Sequence, residues 1–157
     1  MLFRSPDVDS GIEQCLWPDH CVESTPGSKF TEGLNSSALH VVIHKGTHPG
    51  VECYSAFGDP WGLTTIELPS LLAAKEITDV FVVGLAGDYC VKSTAIDAAK
   101  VTLKTTSGSE TKPRTWVVKD LVRSVGSDGV EWDEMKNAGV MFVESDEVKA
   151  RLENELL

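Results

Sequence analysis

Val80-Phe-Val-Val-Gly-Leu-Ala-Gly-Asp-Tyr-Cys-Val-Lys-Ser-Thr-Ala-Ile-Asp-Ala-Ala-Lys100 changes character halfway along. Val80 to Val83 is a continuous apolar run that ends at Gly84 and Gly87. The second half is rich in helix formers and carries alanines at helical spacing. The pattern predicts a buried strand, a tight glycine-containing turn and a helix. Cys90 falls where that helix begins. Unpaired backbone N–H groups and the positive end of the helix dipole stabilise a thiolate at such a place, which makes Cys90 a candidate nucleophile. A small buried residue filling a gap is the competing reading, because free cysteine is among the most buried residue types.

Outward from this stretch, strand and helix signals alternate. Upstream, Leu39 to His44 is a short β-branched run and predicts a strand with Lys45-Gly46 at its end. Thr47 to Gly62 is rich in glycine, proline and aromatic residues, as expected of a structured surface loop lining a pocket. Leu68 to Glu76 reads as a helix with Pro69 in its first turn. Downstream, Thr105 to Pro113 is a polar, turn-rich insertion. Thr115 to Lys119 is a strand, Ser124 to Gly129 a loop, Glu131 to Ala138 a helix stopped by Gly139, and Val140 to Val143 a strand. Ser145 is expected to cap a closing helix to about Glu155. Residues 1 to 16 give no periodic signal and read as loop. Repeated strand–helix alternation implies a parallel sheet with right-handed crossovers, an α/β fold built as a three-layer α/β/α sandwich. Its active crevice lies beyond the carboxyl ends of the strands. Lys45 and the turn before Cys90 both fall on that rim, and Trp17 and His20 lie in a loop that can reach it.

The totals narrow the classes of function. The chain has 157 residues, fitting one domain, and a formal net charge of −10. Such acidity argues against binding nucleic acid or an anionic membrane, which need a basic surface. No apolar run approaches the length of a membrane span. Four cysteines without a C-x-x-C pair give no disulfide framework. A reducing, cytoplasmic setting is the default expectation, with the nucleus and the peroxisome left open. Homo-oligomerisation stays open as well.

A thiolate nucleophile needs a proton acceptor and donors for the oxyanion formed when it attacks a carbonyl. Backbone N–H groups around Ala86 and Cys90 are placed to supply the donors. Lys45 can balance the charge of the thiolate and of the developing intermediate, or it is a solvated lysine at a strand end. His20 can bind a metal through a neutral imidazole, or it is a hydrogen-bonding loop residue. Trp17, Tyr54 and Tyr89 can stack on a flat aromatic substrate, or they pack in the core.

Leu16-Trp-Pro-Asp-His-Cys-Val22, Lys45-Gly46, Tyr54-Ser-Ala-Phe57 and Gly84-Leu-Ala-Gly-Asp-Tyr-Cys-Val91, in this order, resemble the nicotinamidase branch of the isochorismatase-like hydrolases. The resemblance implies hydrolysis of nicotinamide to nicotinate and ammonia through a thioester on the cysteine, a step of NAD salvage. By that likeness Cys90 is the nucleophile and Lys45 the lysine of the catalytic triad. Ala86 and Cys90 donate to the oxyanion beside a cis Leu85–Ala86 bond. Trp17, Tyr54 and Tyr89 wall the pyridine pocket. His20 matches the family's metal-binding histidine, usually on zinc or a similar divalent ion.

The likeness covers the C-terminal two-thirds of the family domain, so residues 1–157 read as a single, N-terminally incomplete domain. The family's general-base Asp and its Asp-x-His metal-ligand pair have no counterpart before Trp17, and Asp7-Val8-Asp9 is the nearest acidic cluster. Only one of the expected protein ligands to the metal is therefore present. The first two strands of the family sheet are expected to be lacking, leaving the Lys45 strand unpaired and an apolar surface uncovered. Little or no turnover is expected of this chain by itself. Two alternatives stand beside the amidohydrolase: a non-catalytic fragment or degenerate copy of the family, and a related hydrolase acting on isochorismate or a carbamoyl amide.

Overall fold

Two short strands, β1 (Leu2–Arg4) and β2 (Glu13–Cys15), pair antiparallel with Leu2 opposite Cys15. The computed structural model describes residues 2–4, 13–15, 17–126 and 130–155. Part of the segment expected to be loop is thus a ladder. Asp7-Val8-Asp9, Leu16 and the 127–129 end of the predicted loop lie outside the described residues.

The largest correction concerns Leu39 to His44. This β-branched run forms no strand: no ladder partner lies beside it among the described residues, and Leu39, Val41 and Val42 stay exposed. Strand preference is a preference for a pleated, half-buried surface between neighbours, and without a neighbour the run stays irregular. Lys45 therefore sits on a coil.

The predicted helix is present as α1 (Leu68–Ala74), with Pro69 in its first turn where no amide is lost. The central sheet follows. β3 (Asp79–Leu85) pairs parallel with the strand running from Arg114 to Arg123, which pairs parallel with a third at Met141–Val143. A short π-helical turn, Gly87–Val91, leads from β3 into α2 (Lys92–Lys100). The insertion after α2 folds back as a two-residue pair, β4 (Leu103–Lys104) on β5 (Glu110–Thr111). The long strand is β6 (Arg114–Arg123), α3 spans Val130–Asn137, β7 is Met141–Val143 and α4 spans Ser145–Glu155. Ser145 does not cap α4 with its own hydroxyl, which donates to Asp120 within β6.

Strand alternation explains the three layers. Val82 and Val117 face α2 and α3, forming one buried cluster with Val91, Ala95, Met135 and Val140. Ala95 and Ala98 are fully buried, and their small side chains bring α2 close onto the sheet. Trp116, one residue before Val117, points to the other face, where Arg151 of α4 lies 4.3 Å over its ring. Asp79 sets the start of the β3–β6 register, bonding Arg114 at 2.6 Å and the Trp116 indole at 3.0 Å. Among the described residues the sheet order is β3-β6-β7, with β3 at one edge. Phe81, Val83 and Leu85 of that edge are exposed, Leu85 by 75%. No helix among the described residues is long and apolar enough to cross a membrane.

Candidate active site

Gly84 breaks the β3 ladder. Its φ of +105° is open only to glycine without strain, and the β3–β6 register shifts between Val82 and Gly84. The chain then turns through a cis Leu85–Ala86 bond into the π-helical turn. Cys90 therefore sits inside this turn, two residues before α2 begins at Lys92, rather than at the α-helix start that the sequence pattern implies. The Ala86 carbonyl accepts from both the Tyr89 and Val91 amides, at 3.1 and 3.0 Å, which fixes the turn on itself.

Lys45 reaches this turn from the coil. Its Nζ donates to Cys90 Sγ at 3.3 Å and to the Cys53 carbonyl at 3.0 Å. Cys53 lies within the predicted pocket-lining loop, which the Ala56 amide ties to Thr94 Oγ1 of α2 at 3.0 Å. The three aromatic candidates also converge. The Trp17 indole donates to the Tyr54 hydroxyl at 2.9 Å, and Tyr89 packs edge-on against Trp17 (4.9 Å) and tilted against Tyr54 (5.5 Å). None of the three is a core residue: they are half-buried, with one side on a cavity.

That cavity measures about 390 Å³ and is lined by Trp17, Tyr54 and Tyr89 together with Cys90, Lys45, Ala86 and His20. Every site residue singled out from the sequence thus meets in one place. Three further residues line it that the sequence did not flag: Pro18, Glu52 and Val125. Pro18 lies inside a recognised motif, but Glu52 and Val125 belong to no motif and come to the site only through the tertiary fold. Glu52 is the one carboxylate lining the cavity among the described residues, and its Oε1 accepts from the Cys53 amide at 3.2 Å.

Cys21, Cys53 and Cys90 differ in ways that bear on reactivity. Cys53 is buried, its Sγ bonds the Ser55 carbonyl, and burial pushes its thiol up from the ordinary range. Cys21 is exposed and Cys90 half-buried. Of these three, Cys90 alone has a cation in hydrogen-bond contact, Lys45 Nζ.

His20 is exposed on the cavity rim. Its Nδ1 donates to the Pro18 carbonyl at 2.7 Å, which leaves Nε2 as the acceptor. A catalytic zinc site takes about three protein ligands. Among the described residues no three His, Cys, Asp or Glu side chains stand close enough to hold a metal ion together. The donor set among the described residues does not fit such a site.

The model of the isochorismatase domain matches residues 8–145. The nicotinamidase of Schizosaccharomyces pombe is 41% identical over 113 residues, covering 69% of this chain and 51% of that protein. Among solved structures, the Acinetobacter baumanii nicotinamidase–pyrazinamidase superposes with a TM-score of 0.75 at 32% identity, covering 93% of this chain and 67% of that one. The Pyrococcus horikoshii pyrazinamidase, solved in complex with zinc, gives a TM-score of 0.63 at 31% identity over 82% of this chain and 63% of its own. The chain spans about half the length of the curated relatives it matches. With the domain match running over residues 8–145, the chain belongs to the isochorismatase-domain family.

Proposed function

We propose that this site hydrolyses a pyridine carboxamide, nicotinamide, by nucleophilic attack of Cys90. One observation carries the reading: a cation, a thiol and an aromatic cavity meet at a single point, with Lys45 Nζ 3.3 Å from Cys90 Sγ and Tyr89 adjacent to it in the chain. Trp17, Tyr54 and Tyr89 hold the ring by stacking and edge contacts, which places the carboxamide carbon at the sulfur. The thiolate attacks that carbon, and negative charge moves to the carboxamide oxygen. The Ala86 and Cys90 amides are the proposed donors to this oxygen. The amide nitrogen takes a proton from solvent water as the C–N bond breaks, so ammonia leaves while the acyl group stays on sulfur; a second water adds to the thioester carbon, the C–S bond breaks, and the acid is released with the Cys90 thiol, whose proton returns to solvent.

Lys45 supplies the positive charge beside the sulfur throughout. No carboxylate bonds Lys45 or Cys90 among the described residues, and general acid–base help is typically worth about 10² to 10⁴ in rate. We therefore expect slow turnover from this chain. The aromatic trio favours a flat ring over the linear amides and the non-aromatic acid that related hydrolases act on.

The test is ammonia release from nicotinamide by the purified chain and its Cys90→Ala variant. Slow release that disappears in the variant supports the reading. Release that is equal in both, or no release even at high protein concentration, overturns hydrolysis and leaves the non-catalytic alternative.

A further inference from the structure

Val125 lines the cavity, yet it is 69% exposed, so side-chain packing does not hold it there. Its backbone does. The Val125 amide donates to Asp88 Oδ1 at 3.0 Å, and the Gly126 amide donates to Asp88 Oδ2 at 2.7 Å. Both oxygens of one carboxylate thus grip the strand-end loop that follows β6. Charge-assisted bonds of this kind are about twice as strong as neutral ones. Asp88 itself belongs to the cysteine turn, beside Tyr89 and two residues before Cys90.

Gly87 shows how closely the two segments approach. A Cβ built on it would collide with the Ser124 side chain and stand 2.9 Å from Val122 Cγ1. Desolvation works against the charged form of Asp88, but the amides of Gly126 and Val125 outweigh it, so the carboxyl titrates below its ordinary range. The tether is ionised at neutral pH.

We propose that Asp88 is a positioning residue that sets the width of the cavity: by gripping the Val125 and Gly126 amides it holds Val125 as the wall that admits a single flat ring to Cys90 and rejects a fused pair. The inference deepens the proposed function by naming a size limit on its substrate. It rests on Cys90 being a reactive thiol in this cavity, but not on amide hydrolysis taking place.

Alkylation reads that width directly. Cys90 and Cys21 are labelled in the same sample with iodoacetamide and, separately, with N-(1-naphthyl)iodoacetamide, and the rates are followed by peptide mass spectrometry. The ratio of the two rates cancels the intrinsic reactivity of the thiol, and exposed Cys21 gives the unrestricted ratio. In the unmodified protein Cys90 should favour the small reagent by about tenfold more than Cys21 does, the lower end of the discrimination an apolar pocket supplies. Asp88→Ala and Val125→Ala should each bring the Cys90 ratio toward that of Cys21, and the double variant should go no further than either alone. Asp88→Asn, keeping one acceptor oxygen, should fall between. A Cys90 ratio equal to that of Cys21 in the unmodified protein overturns the proposal, and so does absent labelling. An unchanged ratio in Asp88→Ala does the same; if that variant does not fold, an unchanged ratio in Asp88→Asn decides it. Loss of ammonia release with the ratio intact would remove the hydrolysis reading alone.

Discussion

Lys45 Nζ donates to Cys90 Sγ at 3.3 Å across forty-five residues of sequence, and the same amine is held by the Cys53 carbonyl at 3.0 Å. The second bond matters as much as the first. It holds a flexible side chain on an irregular coil at one position beside the sulfur. Removing the amine should therefore lower Cys90 reactivity without disturbing the sheet. A hydrogen bond to a charged group is worth about 1.5–3 kcal/mol, so Lys45→Met should slow Cys90 alkylation by iodoacetamide about 10- to 100-fold. Lys45→Arg should not restore it, because the planar guanidinium cannot meet the carbonyl and the sulfur from the same direction. Labelling of Cys21 in the same samples should stay constant.

Gly87 is the contact point between the cysteine turn and the loop after β6. Gly87→Ala puts a methyl group against Ser124 and Val122. Overpacking of this kind costs about 1–3 kcal/mol. The expected result is a lowered urea midpoint, partly recovered by Ser124→Ala and not fully, since Val122 remains. A Gly87→Ala protein as stable as the original would show that the close approach is not what this position requires.

Asp59 organises the loop between the cavity and α1. Its carboxylate accepts from the Trp61 and Leu63 amides and from the Thr64 amide and hydroxyl. Desolvation raises its pKa, but the Thr64 hydroxyl and the three amides outweigh that and lower it from 3.8 to about 2. A carboxyl held below its unfolded value stabilises the fold at any pH above that unfolded value, and the contribution fades as pH falls toward the folded one. Asp59→Asn should therefore lower the urea midpoint at pH 7, and the gap to the original protein should narrow from about pH 4 downward. A gap that is constant with pH would contradict the assignment.

The exposed edge of the sheet has a consequence in solution. Unpaired strand edges with apolar side chains template association with other chains. Val83 is 51% exposed on β3. The purified 157-residue chain should self-associate with rising concentration in sedimentation velocity, and Val83→Lys should suppress this while leaving Cys90 labelling unchanged. Equal association in both proteins would place the contact elsewhere.

The elements around Cys90 were legible in the sequence because their signals are local. An apolar run, two glycines and a helix-forming tail specify β3, the turn and α2 within twenty-one residues. The β7 strand and the α1 and α4 helices followed from equally local patterns. Leu39 to His44 misled for a physical reason: a strand is made by its neighbour, and composition cannot show that no neighbour is there. The pairing of β1 with β2 was hidden for the converse reason, since a ladder of three residues per strand leaves no periodicity to detect. Within the site, Lys45, His20 and the aromatic trio could be named because each belongs to a motif, whereas Glu52 and Val125 could not. Their place on the cavity depends on contacts such as the Asp88 tether, which spans thirty-seven residues and more.

Cys90 lines the cavity proposed to hold nicotinamide. Protection of Cys90 from iodoacetamide by nicotinamide tests that proposal most directly, with Cys21 of the same molecules as the internal reference. Saturating nicotinamide should slow labelling at Cys90 by about tenfold or more while Cys21 is labelled at its original rate. Equal rates at Cys90 with and without nicotinamide would contradict the account.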